Sequence, residues 1–165
     1  GAIASAALET KGTNKTQVGR LVWVQGYSCD LYGVPQLLMS VVRSADMNKT
    51  PDIRTRAILP EWACTLDIRY VKTLLREKSV TNLMQAAGVM RGVGDWRPEK
   101  GSGNYGQFQL VSPTDADFKR ITKNMGVKAQ DLGLSDAEPY DVESAELLTW
   151  FVDEAKERGF EGVLA

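Results

Sequence analysis

The amino-acid sequence predicts an α+β fold, and three observations carry that expectation. Val18–Gln25 (VGRLVWVQ) is short, β-branched and aromatic, the composition of a buried strand. Trp62–Tyr70 alternates strictly, with Trp62, Cys64, Leu66, Ile68 and Tyr70 on one face and Ala63, Thr65, Asp67 and Arg69 on the other. Ser79 is placed as an N-cap before Val80, Leu83, Met84 and Ala87, the i, i+3, i+4, i+7 spacing of an amphipathic helix that Gly88 would stop.

The remaining elements follow in chain order. Gly1–Leu8 has helix character without an N-cap residue, which suggests the stump of a longer polypeptide in preference to a processed end. Gly26–Arg43 is interrupted by Gly33 and Pro35, and Gln36–Arg43 fits helix or strand. Ser44–Pro51 is a polar loop, and Pro60 and Glu61 punctuate the start of the alternating run. Tyr105–Val111 (YGQFQLV) reads as a further strand. Ser112–Asp115 opens a helix carrying Phe118, Ile121 and Met125, which Gly126 ends. After a linker-like run, Gly133–Asp141, a last helix spans Glu143–Arg158 with Leu148, Phe151, Val152 and Ala155 as its apolar stripe. The expected division is an α+β domain over residues 1–111 and an acidic helical extension over 112–165.

Composition narrows the function classes. At 165 residues and 43% hydrophobic, the chain can bury its own core. No apolar run approaches the roughly 18 residues of a membrane helix, and no secretory signal is visible. Cys29 and Cys64 belong to no metal or disulfide pattern and read as reduced packing residues of a cytoplasmic protein. Histidine is absent, which removes Ser–His and Cys–His activation and the commonest metal ligand together. The carboxylate pairs Asp115/Asp117 and Asp153/Glu154 fall on helical segments that read as solvated faces. No catalytic residue, metal ligand or cofactor is assigned, and the expectation is a non-catalytic binding protein.

Charge is unevenly spread. Residues 69–108 carry seven Lys/Arg against three Asp/Glu, whereas residues 109–165 carry six against twelve. A near-neutral net charge of −1 therefore hides a basic body and an acidic C-terminal third.

The segment singled out for function is Gly88–Phe108, GVMRGVGDWRPEKGSGNYGQF. Glycine admits positive φ and lets a ligand approach backbone N–H groups. Arg91, Arg97 and Lys100 are candidates for phosphate pairing, with Gly92, Gly94 and Gly103 supplying the backbone, and Trp96 and Tyr105 are candidates for stacking on unpaired bases. Arg69 and Lys72 would extend the basic surface. Ordinary alternatives stand beside these: Gly101–Asn104 as a hairpin, Trp96 as a core anchor, and Asp95 as an ion-pair partner of Arg91 or Arg97. The segment contains neither GxGxxG between strand and helix nor a GxxxxGK[ST] phosphate loop.

Two runs carry a family resemblance. Leu59–Leu66 (LPEWACTL), followed by Ala86–Val89 and Gly92–Lys100 (GVGDWRPEK), resembles a family of tailed-bacteriophage and prophage proteins over about Arg54–Phe108, and more loosely over Asp131–Phe160. That family is distantly similar to RAMP-type proteins, the RRM-like backbone subunits that line guide RNA in CRISPR effector complexes. The resemblance implies an RRM/ferredoxin-like antiparallel sheet with packed helices, a glycine-rich loop that touches nucleic acid, and self-association into an oligomer or filament. It places the chain in a phage-infected bacterial cytoplasm, with single-stranded DNA or RNA as partner. A host or phage protein partner is the alternative, the acidic C-terminal part then acting as the interaction module.

Overall fold

A computed structural model describes residues 1–8, 10, 12, 14–43, 48–99 and 103–160. In chain order its elements are α1 (Ala2–Ala6), α2 (Lys15–Leu21), β1 (Val22–Val24), β2 (Leu31–Tyr32), β3 (Gln36–Arg43) and β4 (Pro51–Ile58). There follow β5 (Ala63–Cys64), β6 (Ile68–Tyr70), α3 (Glu77–Met90), α4 (Ala116–Asn124), α5 (Val127–Ser135) and α6 (Val142–Glu157). The class is α+β. The described strands pair as three antiparallel two-stranded sheets, β1–β6, β2–β5 and β3–β4, with no four-stranded sheet among them. The chain divides into two compact units, Gly1–Asp30 with Thr65–Asp115, and Leu31–Cys64 with Ala116–Ala165. The helices from Ala116 onward fall in the same unit as β2–β5.

The first unit is built on α3. Val80, Leu83, Met84 and Ala87 are all buried, as their spacing predicts. Val80 and Leu83 join Ala7, Val18 and Val22 in a core flanked by Ile3, Leu21, Ile68, Tyr70 and Leu75. The expected strand Val18–Gln25 begins only at Val22. Asn14 caps a helix instead, its side chain accepting from the Thr16 amide at 2.9 Å, and that helix carries Val18 into the core. Burial of Val18 against α3 outweighs its β propensity. α3 itself opens at Glu77, with Arg76 as N-cap, so Ser79 lies inside the first turn.

The Trp62–Tyr70 run is not one strand. Ala63–Cys64 pairs with β2 in the second unit, and Ile68–Tyr70 pairs with β1 in the first, leaving Thr65, Leu66 and Asp67 exposed between them. Polarity alternates as expected in β6, where Ile68 and Tyr70 are half-buried and Arg69 is exposed. At β5 the faces are reversed: Ala63 is the buried residue. A period-2 pattern fixes local geometry but not which partner each end finds.

In the second unit Gln36–Arg43 is a strand, paired along its whole length with β4 in the register Gln36↔Ile58 to Arg43↔Pro51. β4 alternates only weakly, and pairing with β3 is what makes it a strand. Pro51 takes the first position, where a missing N–H is tolerated. The outer edge of β3 is covered. The Leu37 amide donates to the Glu138 carbonyl at 2.8 Å, and the Leu37 carbonyl accepts from Tyr140 N at 2.9 Å. One pleat further, the Ser144 hydroxyl accepts from Met39 N at 3.0 Å and donates to Met39 O at 3.3 Å. α6 therefore docks on β3 through a serine with no exposed surface, with Ala155 also buried.

Gly133–Asp141 is not a free linker. Gly133 lies in α5, against Val34 and Pro35, and residues 138–140 run along the edge of β3. Gly126 both ends the α4 turn and serves as N-cap of α5. Arg120 makes a bidentate pair with Glu61, at 3.0 and 2.8 Å, and a third contact to Asp117 at 3.3 Å. Cys29 is exposed and Cys64 is half-buried, so only Cys64 has the setting of a packing residue.

A candidate recognition loop at the end of the third helix

The segment after α3 folds back on the helix that precedes it. α3 runs past Gly88 to Met90, because Gly88 is a contact residue and not the stop. A Cβ at Gly88 would overlap the Phe108 carbonyl, and the Phe108 amide donates to Gly88 O at 3.2 Å. The helix ends at Gly92, whose φ of +65° and amide bond to Ala87 O at 2.8 Å give a left-handed cap.

The loop is then closed by backbone bonds between its two arms. Val93 N donates to Gly106 O at 2.9 Å, and Tyr105 N donates to Trp96 O at 3.2 Å. Cβ atoms at Gly103 and Gly106 would overlap the Trp96 and Val93 carbonyls. Glycine at these two positions lets the arms of the loop touch. Tyr105–Val111 forms no strand: Tyr105 and Gly106 occupy a turn, and Gln107 Nε2 donates to Val89 O at 2.9 Å.

The loop presents Trp96. Its φ is +52°, a conformation few non-glycine residues adopt, and its amide is held by the Asp95 carboxylate at 3.2 Å. Trp96 is 55% exposed, and the Tyr105 ring meets it edge-on with centroids 6.1 Å apart. Strained backbone held under an exposed aromatic is the kind of cost that functional sites carry. Val89, Met90 and Val93 are exposed beside it in sequence.

The expected cations behave differently from one another. Arg97 is turned inward, with Nε and Nη2 on Glu99 Oε2 at 3.3 and 3.2 Å and Nη1 on Gly94 O at 2.8 Å. With its side chain only 25% exposed, it braces the loop instead of reaching into solvent. Arg91 is half-buried, its Nε fully so. The Glu99 carboxyl is held below the usual carboxylate range chiefly by the Ser5 hydroxyl; burial opposes this, and Arg97 and then the charge of Arg91 add smaller lowering effects. Neither Glu99 nor Ser5 was expected at this site: no spacing rule links Ser5 to a loop ninety residues on. Asp95 contacts the Trp96 amide, a local Asx-type bond that its position before Trp96 allows.

Arg69 and Lys72 are exposed, and Arg69 stands opposite Trp23 in the β1–β6 ribbon. They lead into the N-terminal end of α3, whereas Arg91–Tyr105 hangs on its C-terminal end. Fourteen helical residues, about 21 Å, lie between the two ends. The ten expected residues thus fall into a loop assembly (Arg91, Gly92, Gly94, Trp96, Arg97, Gly103, Tyr105) and a separate pair. Lys100 lies outside the described residues. The first unit as a whole carries ten Lys/Arg against seven Asp/Glu, and the second ten against fourteen, so the charge asymmetry coincides with the spatial division.

Among the described residues no cluster of three or more Cys, Asp or Glu is placed to hold a metal ion, and no helix is long and apolar enough to cross a membrane. Comparison with protein-family models, curated proteins and solved structures finds no match.

Proposed function

We propose that the first unit is a non-catalytic binder of single-stranded nucleic acid, with Trp96 stacking on an unpaired base and Arg69 and Lys72 pairing with phosphates. The observation that carries this reading is the presentation of Trp96, half-exposed at positive φ on a loop closed by backbone contacts. A base-stacking platform needs an aromatic face that is both accessible and pre-positioned, and duplex offers it no open base face. The net positive charge of the unit supports the same reading. So does the resemblance to RRM/RAMP-like phage proteins, in whose relatives a glycine-rich loop touches the RNA backbone. In this reading Arg97 acts indirectly, by holding the loop through Glu99.

Fluorescence anisotropy with single-stranded DNA, single-stranded RNA and duplex tests it. Affinity for single strands should fall steeply with salt, and Trp96→Ala should weaken it roughly 5- to 150-fold, the worth of one stacked base. Arg69→Ala with Lys72→Ala should lower the salt slope by about 1.4, two single-strand phosphate contacts. Affinity that is flat with salt, or indifferent to Trp96→Ala, sinks the reading.

A second reading is favoured by one observation. The Arg97–Glu99 pair neutralises the loop's most central cation, while Val89, Met90, Val93 and Trp96 are all exposed. A surface of that character also suits an apolar groove on a protein partner. Loss of nucleic-acid binding as an explanation for Trp96 would leave this surface to such a partner.

A further inference from the structure

The positive charge of the first unit is concentrated at one end of it. Residues 15–25 and 67–78 make up α2, β1, β6 and the start of α3. They hold six of the unit's ten Lys/Arg and only two of its seven Asp/Glu, Asp67 and Glu77. The rest of the unit, the Trp96 loop included, is left with four against five. Lys15, Arg20, Arg69, Lys72, Arg76 and Lys78 are all exposed, and among the described residues none of them forms an ion pair. Arg97 is the opposite case, held by Glu99. An unpaired cation binds a phosphate without first giving up a carboxylate, and each such contact releases counterions.

An aromatic stands among these cations. Val22 is buried in the core with Ile68 and Tyr70 packed against the same cluster, so the other face of the β1–β6 ribbon turns to solvent. Trp23 and Arg69 are direct partners in the register and leave the ribbon on that outer face. Side chains placed opposite one another start roughly 5 Å apart at Cβ. Trp23 is 48% exposed, and among the described residues no second ring and no hydrogen bond engages its indole. Arg20 lines a shallow hollow with Leu21 and Leu74, which brings it to the segment that carries Lys72. Asp67 is exposed and pairs with neither Arg69 nor Lys72.

The combination selects its occupant. An acidic peptide would use the cations and leave the indole without a planar partner. An apolar protein surface would cover the indole and desolvate Arg69 with no counter-charge, which is costly. Single-stranded nucleic acid alternates a planar base with an anionic phosphate and satisfies both groups. We infer that Trp23 is a base-stacking residue, on a ribbon face where Arg20, Arg69 and Lys72 take the flanking phosphates. The inference rests on the reading of the first unit as a binder of single strands. It adds a contact at the N-terminal end of α3, whereas Trp96 stands at the C-terminal end.

Fluorescence anisotropy of the full chain tests this with two probes, a thymidine oligomer of roughly 12 nucleotides and an abasic strand of the same length. Trp23→Leu keeps an apolar contact on the ribbon. It should weaken binding of the thymidine oligomer roughly 5- to 150-fold and leave the abasic strand unchanged, and Trp23→Phe should recover most of the loss. Arg20→Ala should lower the salt slope by about 0.7 on both strands, one single-strand phosphate contact. Equal affinity of the native chain and Trp23→Leu for the thymidine oligomer overturns the proposal. So does an equal loss on both strands, which would make Trp23 a structural residue. Trp96→Ala is read in the same titration. If it alone weakens binding, this proposal fails and the loop reading stands; if Trp23→Leu alone does, the loop reading fails and this one stands. Absence of binding to every strand overturns both.

Discussion

Replacing Ser144 by alanine removes one hydroxyl and strands two backbone groups. Ser144 has no exposed surface, and its Oγ is the partner of both the amide and the carbonyl of Met39, itself 4% exposed. Those groups point away from β4, since Met39 shares a pleat with Leu37, whose outward amide and carbonyl are taken by Glu138 and Tyr140. The substitution leaves the α6 cap in place, because Asp141 Oδ1 accepts from the Ser144 backbone amide at 2.8 Å. What is lost is the continuation of the β3 edge ladder. A buried backbone group left without a partner costs about 1–3 kcal/mol, so two give roughly 2–4 kcal/mol once partial hydration is allowed for. For a chain of this size that is a fall in Tm of roughly 4–16 °C. Calorimetry measures it directly, and hydrogen exchange should show the Met39 amide losing its protection. Ser135→Ala is the control: its hydroxyl bonds to Asp131 O in an exposed turn, and the change should be within about 0.5 kcal/mol. A Ser144→Ala fall of less than about 2 °C, with Met39 still protected, would mean that the hydroxyl does not seal the edge.

Other expectations follow from the loop and from the paired carboxylates. Gly88→Ala should destabilise by about 1–3 kcal/mol in urea titrations despite the better helix propensity of alanine, because the new methyl meets the Phe108 carbonyl. Gly106→Ala, at φ +69° and against Val93 O, should lose edge contact between Trp96 and Tyr105, seen as a changed near-ultraviolet spectrum. Gly94→Ala, at φ +77° in open space, should keep that contact at a cost of about 1–2 kcal/mol. Glu99, Glu61 and Asp141 all titrate below their ordinary values, held down chiefly by Ser5, Arg120 and Ser144 respectively. Their contribution is present above the ordinary carboxylate range and is lost as pH falls through the depressed values. Acid titration should therefore loosen the loop as Glu99 protonates, and Glu99→Gln should remove that step from the tryptophan fluorescence profile.

Local periodicity determined what neighbours along the chain can settle. The buried face of α3, the body of α4 ending before Gly126 and the extent of α6 are all present in residue spacing, because a helix satisfies its own backbone and needs from tertiary structure only a surface to lie on. The sequence also marked Gly88–Phe108 as unusual, and the structure gives the glycines a role there, in letting two arms of one loop touch. The tertiary structure alone decided the strands. Trp62–Tyr70 was split between two units, Pro51–Ile58 became a strand through its pairing with β3, and Val18–Leu21 became helix under an asparagine cap. Strand identity is a property of pairs, and a partner far away in sequence leaves no periodic trace. Side-chain direction was likewise beyond the sequence. Arg97 and Trp96 are adjacent, yet Glu99 turns the arginine inward while a positive φ turns the indole out. The charge of the residue was legible, but where its guanidinium would find a partner was not.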